Sequence, residues 1–140
     1  MVNYRSSLKV MVFGTFDGLH KGHLNFYKQA KMLSSNPLLI VSVARDRNVF
    51  RIKGKYPLRK EKERVALIRK SRVADKVILG GLNSHIPHIV REKPDIIALG
   101  YDQKAYIVHL KRDLKEKGVT VKLVRLKPFK DKIYKNHLLN

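Results

Sequence analysis

The chain has 140 residues, 44% of them hydrophobic, which is the size of one ordinary domain able to bury about two-thirds of its unfolded surface. Lys and Arg number 31 against 11 Asp and Glu. The resulting formal net charge of +20 draws anions from a distance and disfavours neutral or cationic substrates, while nucleic acid and small phosphorylated ligands both fit it. Cysteine is absent, excluding disulfides, thiolate zinc sites and cysteine nucleophiles; no apolar run approaches the roughly 20 residues that span a bilayer, so a soluble, cytoplasmic protein is expected.

Residues 8–13 form the first Val-rich run and read as a strand. A segment with Phe26, Ala30 and Leu33 at helical spacing follows, then a second apolar run at 38–44. Arg45, Arg47, Arg51, Lys53 and Lys55 crowd what reads as a basic loop leaving that strand. Leu58, Val65 and Ile68 supply a second helical stripe before a strand at 76–79. Ile86, Ile89 and Val90 precede a strand at 96–99, and Ile107, Leu110 and Leu114 precede one at 120–126. Continuous apolar runs suggest strands covered on both faces, and the strand–helix alternation implies right-handed crossovers. No repeat or linker interrupts the chain, so the expected fold is α/β: a single Rossmann-like, doubly wound domain over 1–140, with a five-stranded parallel sheet and helices on both faces. Ligands in such folds bind at the carboxyl ends of the strands.

The first strand is followed by Gly14-Thr15-Phe16-Asp17-Gly18-Leu19-His20-Lys21-Gly22-His23. Gly14 permits a tight turn, and Gly18 and Gly22 admit phosphates close to the main chain. His20 and His23, three residues apart at a helix start, project from nearly one face and can each donate an N–H bond to a phosphate oxygen. The helix N-terminus adds orphan N–H groups, completing a polyphosphate cradle. Metal ligation by the two histidines is disfavoured, because Asp17 is the only nearby third ligand and no protein metal site is expected.

Gly-Thr-Phe-Asp followed by His-x-Gly-His after a buried strand resembles the signature of the nucleotidyltransferase superfamily that includes cytidylyltransferases, phosphopantetheine adenylyltransferase and archaeal-type FAD synthases. Glu63-Arg64-Val65-Ala66-Leu67, Leu99-Gly100-Tyr101-Asp102 and the last strand extend the resemblance over nearly the whole chain. The resemblance implies attack of an acceptor's phosphate on the α-phosphorus of a nucleoside triphosphate, releasing pyrophosphate without a covalent enzyme intermediate. His20 and His23 are thereby assigned to the α-phosphate and its transition state. Gly14, Thr15, Phe16, Lys21 and Gly22 would line triphosphate and nucleoside, Asp102 would accept bonds from ribose or base, and Phe129 would stack on the base or cover the core. Asp17, Arg45, Lys53 and Arg64 are candidates for phosphate or acceptor contacts, with pairing to Glu61 an alternative for Arg64. Mg²⁺ is the implied cofactor, held mainly by the phosphates because clustered carboxylates are missing.

Polyol-phosphate cytidylyltransferases carry a Ser/Thr clamp after the last strand, whereas this chain reads Arg125-Leu126-Lys127-Pro128-Phe129. That departure shifts the resemblance toward archaeal-type FAD synthase, with ATP and FMN as partners and Phe50 and Tyr56 as candidates for the flavin slot. A CTP-dependent enzyme acting on glycerol 3-phosphate or another polyol or sugar phosphate is the alternative. A basic nucleic-acid-binding module is the alternative from another class: aromatics make up only 8% of the chain and no RNA-binding motif is recognisable, yet a salt-sensitive affinity for RNA is compatible with the charge. A homodimer is common among similar small transferases.

Overall fold

The computed structural model describes residues 8–101, 103 and 107–128, residues 107 and 108 by backbone alone; Asp102 and Phe129 therefore lie outside the described residues. In chain order the elements are β1 Leu8–Gly14, α1 Lys21–Lys31, β2 Pro37–Val43, α2 Asp46–Lys53, α3 Glu61–Ser71, β3 Lys76–Leu79, α4 Ile86–Glu92, β4 Ile96–Leu99, α5 Ile107–Glu116 and β5 Lys122–Arg125. The strands form one parallel sheet in the order β3-β2-β1-β4-β5, with β1 and β2 registered from Leu8 opposite Pro37 to Gly14 opposite Val43. This is a Rossmann-like arrangement, and the order reverses between β1 and β4, where crevices open at the carboxyl edge.

Strand alternation divides the core into two layers. Val10 and Val12 of β1 face the layer that α1 and α3 cover with Tyr27, Ala30, Val65 and Ile68. Met11 and Phe13 face the other, covered by Ile89 of α4 and by Leu110 and Leu114 of α5. None of the helices among the described residues is long and apolar enough to cross a membrane.

Two sequence expectations are corrected. Leu58 does not belong to a buried helical stripe: it is 92% exposed in the loop before α3. The basic loop after β2 contains helix α2, of which only Val49 is buried, so no apolar stripe announces it. Its ends are fixed by other means. Gly54 closes it in the left-handed region at φ +79°. At the other end, α2 and α3 cap each other reciprocally: the Asp46 N–H donates to the Glu61 carboxylate at 2.9 Å, and the Glu61 N–H donates to the Asp46 carboxylate at 3.1 Å. Each carboxylate also serves the partial positive charge at a helix start.

Candidate active site

The signature turn leaves β1 at Gly14, where absence of a side chain is obligatory: a Cβ would lie 2.5 Å from the Phe16 ring. Phe16 itself has a positive φ of 52° and is 5% exposed, packed against His23, Phe26 and Tyr27. Its ring supports the turn from the core side. The Asp17 carboxylate accepts from the Leu58 and Arg59 N–H groups at 2.6 and 2.9 Å and so ties the turn to the loop before α3. Desolvation pushes its pKa up, but those two N–H bonds and the guanidinium charges of Arg64 and Arg59 outweigh that and hold it below the usual carboxylate value. With both oxygens engaged, Asp17 acts as an anchor in this geometry, where sequence reading had offered it to phosphate or acceptor.

His20 is the N-cap of α1. Its Nδ1 accepts from the N–H groups of Gly22 at 3.0 Å and His23 at 3.3 Å, so two donors that sequence reading reserved for phosphate are already satisfied. The bonds also fix the chemistry of the ring: an Nδ1 lone pair held by two backbone donors leaves Nε2 as the N–H donor of the neutral imidazole. His23 stacks on His20 with ring centroids 3.7 Å apart and planes at 21°. Both rings line a cavity of about 960 Å³ with Gly14, Thr15, Phe16, Gly22, Tyr101 and Lys127. Lys21 is exposed on the first turn and lies outside the residues lining this cavity.

A second cavity of about 450 Å³ opens between α2 and the loop after β3, lined by Arg45, Asn48, Arg51, Leu82, His85 and Ile86. The cavities share Phe13, Gly14 and Thr15, with Val49, Ile52, Lys53, Gln103 and Leu110, so they meet at the end of β1. Lys53 thus borders both. Arg45 reaches the smaller one while its Nε donates to the Gly80 carbonyl at 2.8 Å and its Nη1 pairs with Glu61 at 3.3 Å. Arg64 is not brought to either cavity. It is fully buried, donating to the Thr15 carbonyl at 2.7 Å, the Arg59 carbonyl at 3.0 Å and Asp46 at 2.6 Å. Its partner is Asp46, not Glu61, and its geometry is that of a strut between the signature turn and the capped α2–α3 junction.

The sequence also contains a second His-x-x-His, at His85 and His88, after β3 as the first pair is after β1. That repeat is the sequence signal for the second pair, and it overlaps the helical stripe of Ile86 and Ile89. Phe13 lies edge-on to both rings at 5.3 and 5.9 Å, and the His88 Nε2 is 3.0 Å from the Ser42 hydroxyl. Burial pushes both pKa values down; for His88, to about 4, the nearby His85, Arg91 and Arg45 add to burial while Glu92 opposes. Both rings are neutral near pH 7.

Gln103 and Arg125, which sequence reading did not single out, fix the opposite wall. Gln103 accepts from the Gly100 N–H and donates to the Phe13 carbonyl, both at 2.8 Å, locking the end of β4 to that of β1. Arg125 Nη1 donates to the carbonyls of Gly100 and Gln103 at 2.8 Å. Below Lys127, the side chain of Gln29 on α1 pairs reciprocally with that residue's backbone N–H and carbonyl, both at 2.9 Å.

A parallel sheet with this strand order, a capped His-x-Gly-His turn at its reversal point and paired cavities there define a nucleotide-binding α/β protein. The chain belongs to the cytidylyltransferase-like family, whose family model matches residues 11–136. Among its relatives, the FAD synthase of Thermoplasma volcanium is 41% identical over 122 residues, spanning 87% of this chain and 84% of that protein. The FAD synthase of Korarchaeum cryptofilum is 40% identical over 124 residues, 88% of this chain and 84% of its own length. A crystal structure described as the lipopolysaccharide core biosynthesis protein of Thermoplasma volcanium superposes with a TM-score of 0.79 at 40% identity, covering 89% of this chain and 99% of that one. The pantoate-beta-alanine ligase of Francisella tularensis shares the fold at a TM-score of 0.57 and 16% identity, over 89% of this chain and 60% of its own.

Proposed function

We propose that this protein is an FMN adenylyltransferase, converting ATP and FMN to FAD and pyrophosphate. The observation that carries the reading is the meeting of two cavities at the stacked histidines, in a chain whose relatives at about 40% identity are named FAD synthase. ATP occupies the larger cavity with its α-phosphate at His20 and His23. FMN enters the smaller one, where Phe13, Val49, Ile52, Leu82, Ile86 and Leu110 offer an apolar slot for the ring. Phe50 and Tyr56 do not line that slot: they stack on each other, Phe50 lines neither cavity, and Tyr56 lines the larger one.

An oxygen of the FMN phosphate forms the new bond to the α-phosphorus as the bond to the β-phosphate oxygen breaks, in line, and the electron pair leaves with pyrophosphate. No enzyme nucleophile is needed, since a phosphate monoester is already largely ionised at neutral pH. His20 Nε2–H and His23 donate to the α-phosphate oxygens as charge develops, each at a magnitude of about 3–4 kcal/mol in such sites. Arg45 and Lys53 meet the acceptor phosphate or the triphosphate. A divalent cation, Mg²⁺ in this reading, would offset part of the triphosphate charge and would be held mainly by the phosphates themselves. With these substrates the enzyme works in the cytoplasm.

The relative described as a lipopolysaccharide core biosynthesis protein favours a second reading, a sugar- or polyol-phosphate nucleotidyltransferase. Chromatography of flavin products after incubation with ATP, Mg²⁺ and FMN, in parallel with CTP and glycerol 3-phosphate, separates the two. FAD is the expected product, with CTP a poor donor; CDP-glycerol without FAD overturns the assignment.

A further inference from the structure

Arg47, Lys60 and Lys62, exposed on α2 and at the start of α3, line neither cavity, while Lys55 and Tyr56 lie at the edge of the larger one and Arg51 at that of the smaller. On α2, Arg47, Phe50 and Arg51 are three and four residues apart and share one exposed face. Phe50 stacks on Tyr56 with centroids 4.6 Å apart and planes at 27°, yet the two residues remain 45% and 63% exposed. Lys55 precedes Tyr56 in the chain and Lys60 and Lys62 are exposed at the start of α3; none of them, nor Arg47, has a carboxylate partner among the described residues. The local acids are turned to other work: Asp46 holds Arg64, Glu61 holds Arg45, and Glu63 accepts from the Lys60 backbone N–H at 3.0 Å. The surface therefore combines uncompensated cations with accessible aromatic rings. Cations alone would suit any polyanion, but flat rings among them are matched by unpaired bases, whose faces a duplex does not offer.

We propose that the outer face of α2, with the loop through Tyr56 and the start of α3, binds single-stranded nucleic acid, bases stacking on the Phe50–Tyr56 pair and phosphates contacting Arg47, Lys60 and Lys62. Binding is independent of sequence and strongly salt-dependent.

The test uses the full chain, fluorescein-labelled oligouridylate and anisotropy over a range of KCl concentrations, with heparin and phosphatidylglycerol vesicles as comparison anions. Phe50→Ala is expected to weaken oligouridylate binding by about 5- to 100-fold and to leave heparin affinity unchanged. Phe50→Leu, which keeps apolar packing but lacks a flat face, weakens it likewise and guards against a folding defect, checked by circular dichroism. The Arg47→Gln/Lys62→Gln pair lowers the salt slope by about 1.4, at about 0.7 per single-strand phosphate contact. Because Arg47, Phe50 and Lys62 line neither cavity, flavin adenylylation in these variants stays at the wild-type rate. No binding by the wild type near physiological salt, equal loss toward heparin in Phe50→Ala, an unchanged salt slope, or preference for the vesicles over oligouridylate overturns the proposal.

Discussion

His20 has one task in the structure and a second in the proposed mechanism, and a pair of substitutions tells them apart. As the N-cap of α1 it satisfies the N–H groups of Gly22 and His23, a role for which removal costs about 1 kcal/mol and which Asn performs well. In the proposed mechanism it is also an Nε2–H donor to the α-phosphate, which would contribute about 3–4 kcal/mol to the transition state, a factor of roughly 100–1,000 in turnover. His20→Ala loses both. For a chain of 140 residues with an unfolding entropy near 2.1 cal/mol/K per residue, the cap loss lowers the melting temperature by about 3 °C. His20→Asn keeps the cap, so its melting temperature should match the wild type while turnover still falls by at least about 100-fold. Calorimetry and a pyrophosphate-release assay on the two variants measure these independently. Turnover of His20→Asn within about threefold of wild type would show that the imidazole serves the helix alone and would refute the catalytic role.

Arg64→Ala should destabilise the chain by about 3–5 kcal/mol in urea unfolding, because it strands the Asp46 carboxylate and the Thr15 carbonyl; a loss below about 1 kcal/mol contradicts the strut. Gln29→Ala should raise the KM for ATP several-fold with kcat little changed, since it releases the Lys127 wall of the larger cavity and leaves the histidines in place; an unchanged KM argues against that wall contacting ATP. His88, with its pKa lowered to about 4, binds fewer protons folded than unfolded below pH 6.5. Its stabilising share is therefore full above pH 6.5 and lost as pH falls toward 4, so the urea midpoint of His88→Gln should vary less over that window than the wild type's. Leu99→Ala should cost about 2–5 kcal/mol through a cavity in the layer beneath α5; a wild-type melting curve would show that β4 does not bury it.

What was legible in the sequence followed from short-range regularity. Strands buried on both faces announce themselves as apolar runs, so 76–79 and 96–99 coincide with β3 and β4, and Ile89, Leu110 and Leu114 occupy the helix stripes that spacing suggested. Helix α2 broke the rule because its stability does not come from a stripe: one buried residue, a glycine stop and the Glu61 carboxylate 15 positions away hold it. The same cause separates the site residues that composition could find from those it could not. His20 and His23 were visible because neighbours in sequence are neighbours on one helix turn. The fate of Arg64 depended on Thr15, 49 residues distant, and on Asp46, and no local pattern distinguishes a guanidinium reaching for a phosphate from one reaching for a carbonyl.

That ambiguity has a physical root with consequences for the cradle itself. A strongly basic chain must sort its cations between ligand and scaffold, and the sorting is done by the few acids available. Asp46 and Glu61 fall at two helix starts and fix Arg64 and Arg45 there, while Asp17 holds the intervening loop through its backbone. These three carboxylates thereby draw the signature turn, α2 and the start of α3 into one rigid corner beneath the joined cavities. Lys53, which has no such partner among the described residues, is left at the border of both. In the proposed mechanism a cation so placed would meet negative charge arriving from either substrate, and a scaffold locked by neutralised pairs below it would not have to reorganise as that charge shifts during transfer.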